Sequence, residues 1–159
     1  MKDNMVEEKK AENCIAAETV RETHSEAETF LLARELGEKA GPGEVYLLRG
    51  DLGVGKTVFA RGFAAGLGIT EPVTSPTFTI LKEYPEGRLP LYHFDVYRVG
   101  DPDEMEETGY FEYLEGDGVL LIEWPEMIEE ILPESCTSVT IEKDTEKGFD
   151  YRRISIRNS

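Results

Sequence analysis

Gly50-Asp51-Leu52-Gly53-Val54-Gly55-Lys56-Thr57 satisfies the pattern G-x-x-x-x-G-K-[ST] at every fixed position. These residue types, at this spacing, suit the capture of a phosphate chain. The glycines admit backbone turns that a side chain would block. They also let main-chain N–H groups approach phosphate oxygens, so Asp51, Leu52, Gly53, Val54 and Gly55 are expected to form the cradle. A helix beginning at Lys56 would add the partial positive charge of its N-terminus. Lys56 is expected to reach the β- and γ-phosphates as a cation and to take part in catalysis. The Thr57 hydroxyl is expected to ligate Mg²⁺. The pattern therefore predicts a bound nucleotide.

Such a loop works with an acidic residue at the end of a buried strand. Two apolar runs end in one: "LYHFD" in Asp95 and "VLLIE" in Glu123. Glu123 follows the more uniformly apolar run and is assigned to the metal, directly or through a metal-bound water. Asp95 is assigned to the attacking water, as its orienter or proton acceptor; a strand-end cap is the alternative. In "TSPTFT", Thr77 is the candidate hydroxyl that senses the γ-phosphate. A plain turn at Ser75-Pro76 fits that spacing equally well. His93 reads as a packed histidine. Trp124 reads as a partly buried core residue, with stacking on a base or a partner as the alternative.

These residues need elements to hold them. Val45 to Leu48 is a short apolar run that fits a strand buried on both faces, and a helix is expected from Lys56 to Leu67. Ahead of them, Ser25-Glu26-Ala27-Glu28 fits a capping box opening a helix with the stripe Phe30, Ala33, Leu36 and Ala40. Thr77–Tyr84 and Leu89–Val99 read as strands joined by the turn "PEGR", hence an antiparallel pair. Asp101-Pro102 starts an acidic helical stretch, Gly118–Trp124 contains a buried strand, and Pro125–Leu132 forms a short helix. "SVTIEK" and "YRRISIR" suggest a terminal hairpin. About six strands and four helices result. Helix-linked buried strands argue for α/β layers, and the hairpins argue for a mixed sheet. The expected fold is a P-loop NTPase-like three-layer α/β fold with a mixed parallel and antiparallel central sheet.

A length of 159 residues favours a single domain, over residues 23–159, behind a frayed tail of residues 1–22. The polar N-terminus has no apolar core of a secretory signal. Cys14 and Cys136 form no C-x-x-C pair, and a reducing cytoplasm is the expected setting. The formal net charge of −16 opposes direct contact with nucleic acid phosphates, so any role in nucleic acid chemistry would run through a protein partner. None of Asn4, Asn13 and Asn158 lies in an N-K-x-D guanine-reading motif, which argues against a GTPase of the usual kind. No arginine cluster suggests the closing lid of a nucleotide kinase.

"GDLGVGKT", "SPTFTI", "LYHFDVYRV", "DPDEMEETGYFEYL" and "LIEWPE" occur in the order and spacing of one bacterial family. From about Thr23 to Arg157 the chain resembles the TsaE family, formerly YjeE, the ATPases of tRNA threonylcarbamoyladenosine biosynthesis. The resemblance implies ATP and Mg²⁺ as ligands and a weak intrinsic ATPase. It also implies TsaD and TsaB as protein partners, acting on the adenosine beside the anticodon. By motif it implies phosphate and metal contacts for Lys56 and Thr57, the Mg²⁺ role for Glu123, and catalytic or switch roles for Asp95 and Thr77. A family arginine near the C-terminus matches Arg152 or Arg153, with Arg152 taken as the nucleotide contact. Thr23 and Ser25 fall near the adenine. Two other functions fit the loop alone: a small-molecule or nucleotide kinase, and a non-enzymatic nucleotide switch.

Overall fold

The computed structural model describes residues 18–51 and 53–159. The first seventeen residues of the expected tail, Cys14 among them, and Leu52 of the glycine loop lie outside the described residues.

Seven strands form one sheet in the order β1-β7-β6-β2-β5-β4-β3. They are β1 (Glu18–Thr23), β2 (Val45–Arg49), β3 (Leu81–Tyr84), β4 (Leu91–Asp95), β5 (Val119–Glu123), β6 (Thr137–Lys143) and β7 (Arg152–Asn158). The centre is parallel: β2 pairs with β5 and β6, and β4 with β5. Both margins are antiparallel, through β3–β4 on one side and β6–β7–β1 on the other. The mixed sheet and both expected hairpins are present.

Every side chain from Val45 to Leu48 is buried, and alternate residues go to opposite faces. Tyr46, Leu48, Leu91, Leu121, Val139 and Ile154 join the cluster under α1 (Glu26–Lys39) and α2 (Lys56–Gly66). Val45, Leu47, Phe94, Leu120 and Ile122 join a second cluster on the far face. That face is covered by α3 (Tyr110–Glu115) and two 3₁₀ segments, Pro102–Thr108 and Pro125–Ile131. Three layers result. No helix among the described residues is long and apolar enough to cross a membrane.

Ser25 caps α1, its Oγ accepting from the Glu28 N–H at 3.1 Å, while Glu28 Oε2 accepts from the His24 N–H at 2.7 Å. The capping box is therefore closed one residue earlier than its usual form. The stripe facing the core is Thr29, Leu32, Ala33 and Gly37, and Phe30 is only half-buried.

Three expectations need correction. Glu18–Glu22, read as tail, belongs to edge strand β1, paired with β7. Only Thr23 of that strand is buried, so its sequence carries no apolar period. Thr77–Ile80, read as the start of a strand, is a turn, and β3 begins at Leu81. The β-branched residues there suggested a strand, but Ile80 adopts φ 68°, which ends extended pairing. Finally, the count of six strands and four helices becomes seven strands, three α-helices and two 3₁₀ segments among the described residues.

Candidate functional site

The site lies at the carboxyl ends of the parallel strands. β2 runs straight into the glycine loop, and α2 leaves it at Lys56. Gly50, Gly53 and Gly55 have φ of 149°, 77° and 103°. Gly53 and Gly55 thus hold left-handed conformations that a side chain would resist. At Gly50 a Cβ would also stand 2.7 Å from the Ile141 carbonyl oxygen and 2.8 Å from Val54 Cγ2. Both the backbone conformation and the close approach require glycine there.

Register puts the two carboxylates side by side: Asp95 on β4 pairs with Glu123 on β5, and Glu123 with Leu48 on β2. Both are buried. A cleft of about 510 Å³ opens over them. Its lining includes Lys56, Thr57, Ser75, Thr77, Asp95 and Glu123. Lys56, Thr57, Thr77, Asp95 and Glu123, all picked from sequence, therefore meet in one place. Asp51, at the loop's start, is exposed and lies outside this lining.

Ser75 is the residue that sequence reading treated as turn. Its hydroxyl stands 2.9 Å from Asp95 Oδ2 and 2.9 Å from Glu123 Oε2, bridging the two carboxylates. Thr77 Oγ1 is farther, 3.5 Å from Asp95 Oδ2. Asp95 Oδ1 accepts from the Tyr97 N–H at 3.1 Å. The available signal was the hydroxyl at 75 itself, two residues from the one at 77. Spacing could not say which faced the acids.

His93 is fully buried, as its strand position suggested, but it is also tied to the site. Its Nε2 lies 2.7 Å from Glu123 Oε2. Nδ1 has no partner. That pattern fits the neutral ring with its proton on Nε2, donated to the carboxylate, since a second N–H would be buried unpaired. Burial alone raises the Glu123 pKa, yet the hydrogen bonds from His93 and Ser75 and the Lys56 charge bring it below the ordinary 4.5.

Lys56 Nζ is buried without a hydrogen-bond partner among the described residues. It sits 3.4 Å from the Trp124 ring centroid, a cation–π contact. Desolvation pulls its pKa down, opposed by the charges of Glu123 and Asp95. Trp124 is half-buried, with Tyr97 on it at 4.8 Å between ring centroids. Its φ of 62° is left-handed, which turns the chain sharply after Glu123. Ile80, the other non-glycine residue at positive φ among the described residues, accepts through its carbonyl from the Asp95 N–H at 2.8 Å. Strained backbone thus adjoins both carboxylates, as occurs where a site over-determines its geometry.

Behind the loop, Arg152 donates from Nε to the Val54 carbonyl at 2.7 Å, while Arg153 is exposed. A smaller cavity of about 70 Å³ lies there, lined by Ser25, Thr29, Gly55, Val58 and Arg152 among others. Thr23 is buried, its hydroxyl 2.7 Å from that of Thr29.

A glycine loop between a buried strand and a helix, on a three-layer mixed sheet, defines a P-loop NTPase-like protein. Comparison with known proteins narrows the class. The model of the family described as "Threonylcarbamoyl adenosine biosynthesis protein TsaE" matches residues 23–154, and the chain belongs to that family. The tRNA threonylcarbamoyladenosine biosynthesis protein TsaE of Bacillus subtilis strain 168 is 52% identical over 128 residues, which span 80% of this chain and 78% of that protein. The protein of the same name from Treponema pallidum is 44% identical over 106 residues, spanning 67% and 78%. The crystal structure of Bacillus subtilis YdiB aligns with a TM-score of 0.73 and 44% identity, covering 87% of this chain and 84% of that one.

Proposed function

We propose that this chain binds Mg-ATP in the cleft and hydrolyses it slowly, as an accessory subunit of tRNA threonylcarbamoyladenosine biosynthesis. In that reading it works in the cytoplasm with TsaD and TsaB, which modify the adenosine beside the anticodon. One observation carries the nucleotide: a buried ammonium, Lys56 Nζ, with no hydrogen-bond partner among the described residues, in a cleft floored by two carboxylates. A buried cation parked on an aromatic face gains much from an arriving phosphate. The pathway is supported by membership of the TsaE family and by the names of its relatives.

The residues divide the work. The main-chain amides from Gly53 to Thr57 cradle the β- and γ-phosphates, and Lys56 leaves the Trp124 ring to meet them. Thr57 and Glu123 would hold Mg²⁺; one or two protein oxygens plus substrate phosphates suit that ion. When bound, Mg²⁺ neutralises charge on the phosphate oxygens. Asp95 orients a water for attack on the γ-phosphorus and takes its proton, as the γ-phosphate breaks from ADP. Ser75 and Thr77 hold Asp95 in place and respond to the nucleotide state. Thr23 and Ser25 would face the adenine, and Arg152 would serve the nucleotide from behind the loop. The functional test is an ATPase assay of the chain alone and with TsaD and TsaB. Stimulation by the pair is expected; a rate indifferent to them contradicts the accessory role.

A further inference from the structure

Arg152 is half-buried at the first position of β7. Three of its five N–H groups go to main-chain carbonyls: Nε on Val54 at 2.7 Å, Nη1 on Phe149 at 2.9 Å and on Tyr151 at 2.7 Å. Val54 is also held by its side chain, 3% exposed, in the cluster beneath α2. The apex of the glycine loop is therefore fixed at both side chain and carbonyl. A trans peptide is planar, with its C=O and N–H pointing in opposite directions. With the Val54 carbonyl turned onto Arg152, the N–H of Gly55 in the same peptide points away from it. Gly55 lines the main cleft next to Lys56 and Thr57. Its φ of 103° is open to glycine and costly for other residues.

We propose that Arg152 is a positioning residue of the phosphate loop. It fixes the Val54–Gly55 peptide so that the Gly55 N–H faces the bound phosphate, and it acts through the loop, not on the nucleotide. This rests on the nucleotide reading above. Its neighbour Arg153 cannot substitute: it is exposed and stands in register with Glu22 and Glu142. Lysine at 152 would supply one compact ammonium in place of a planar fork that spans carbonyls in different directions.

The test compares wild type, Arg152→Ala, Arg152→Lys and Arg153→Ala. Each is titrated with Mg-ADP, whose β-phosphate reaches the loop, and with AMP, which lacks a β-phosphate. Amide spectra of the ¹⁵N-labelled, nucleotide-free proteins form a second arm. Arg152→Ala is expected to weaken ADP about tenfold, the scale of one hydrogen bond to a charged group. AMP affinity changes little, millimolar guanidinium ion restores part of the loss, and Arg153→Ala matches wild type. Without nucleotide, the Gly55 amide resonance shifts or broadens in Arg152→Ala and not in Arg153→Ala. Equal losses for ADP and AMP would put Arg152 on the nucleoside and overturn the proposal. So would unchanged ADP affinity, or an unmoved Gly55 resonance. If Arg152→Ala does not fold, Arg152→Lys is read by the same criteria. Failure of the wild type to bind ADP would strike the proposed function, while the amide arm still decides the loop contact.

Discussion

Asp95 and Glu123 are equivalent in register and unequal in surroundings. Glu123 is held by His93 from behind, Asp95 accepts from Thr77 and the Tyr97 amide, and the single Ser75 O–H between them serves one acid or the other. Among the described residues both hydrogen bonds to the Glu123 carboxylate fall on Oε2, which leaves Oε1 for a ligand in the cleft. The carboxylates should therefore separate experimentally. Glu123→Ala weakens Mg²⁺-dependent nucleotide binding as well as turnover. Asp95→Ala spares binding and lowers the rate by about a hundredfold or more, the usual worth of a positioned general base. Titrating Mg²⁺ against both variants checks this, and reversed phenotypes would mean exchanged roles. Both acids were legible because each ends an apolar run that had to be a buried strand. Their partners were not. His93 alternates like any core residue, and Ser75 precedes a proline that explains it without chemistry. Which polar side chain meets a buried acid depends on strand order, and no local pattern carries that.

The elements that carry the site are held by contacts that the sequence does not advertise. α1 and α2 cross at glycines. A Cβ on Gly62 would stand 2.3 Å from the Phe30 carbonyl oxygen, and one on Gly37 would stand 2.2 Å from that of Phe63. Helix propensity favours alanine over glycine by ~1 kcal/mol in an open helix. Here overpacking reverses the sign. Gly62→Ala is expected to cost about 1–3 kcal/mol net, the range for forcing extra atoms into packed interiors. Gly116→Ala, with its nearest contact an ordinary 3.5 Å, leaves stability unchanged. Urea unfolding midpoints of the two variants test the crossing, and equal midpoints would contradict it. The helices themselves were readable from caps and stripes, and the parallel centre from its unbroken apolar runs. The turn at Thr77–Ile80 was not, because β-branched residues favour strands until a tether overrides them. That tether is the Ile80 carbonyl, which accepts the Asp95 N–H. Strand β1 escaped for the opposite reason: an edge strand with one buried residue has no pattern to read.

At the scale of the molecule, charge sets the terms of association. A net −16 repels phosphate backbones, and exposed charges act over about 8 Å at physiological ionic strength. The isolated chain is accordingly expected to leave tRNA unshifted in a gel at physiological salt. Tight, salt-sensitive binding would refute a division of labour in which RNA contact belongs to the partners. The central claim is that the glycine loop, with Lys56 as its cation, binds Mg-ATP. Titration calorimetry of Mg-ATP into wild type and Lys56→Ala tests it most directly. Charge-assisted hydrogen bonds of this kind are worth about 1.5–3 kcal/mol, so the variant should bind roughly tenfold to a hundredfold more weakly. Equal affinity in the two proteins, or no binding by wild type, would contradict it.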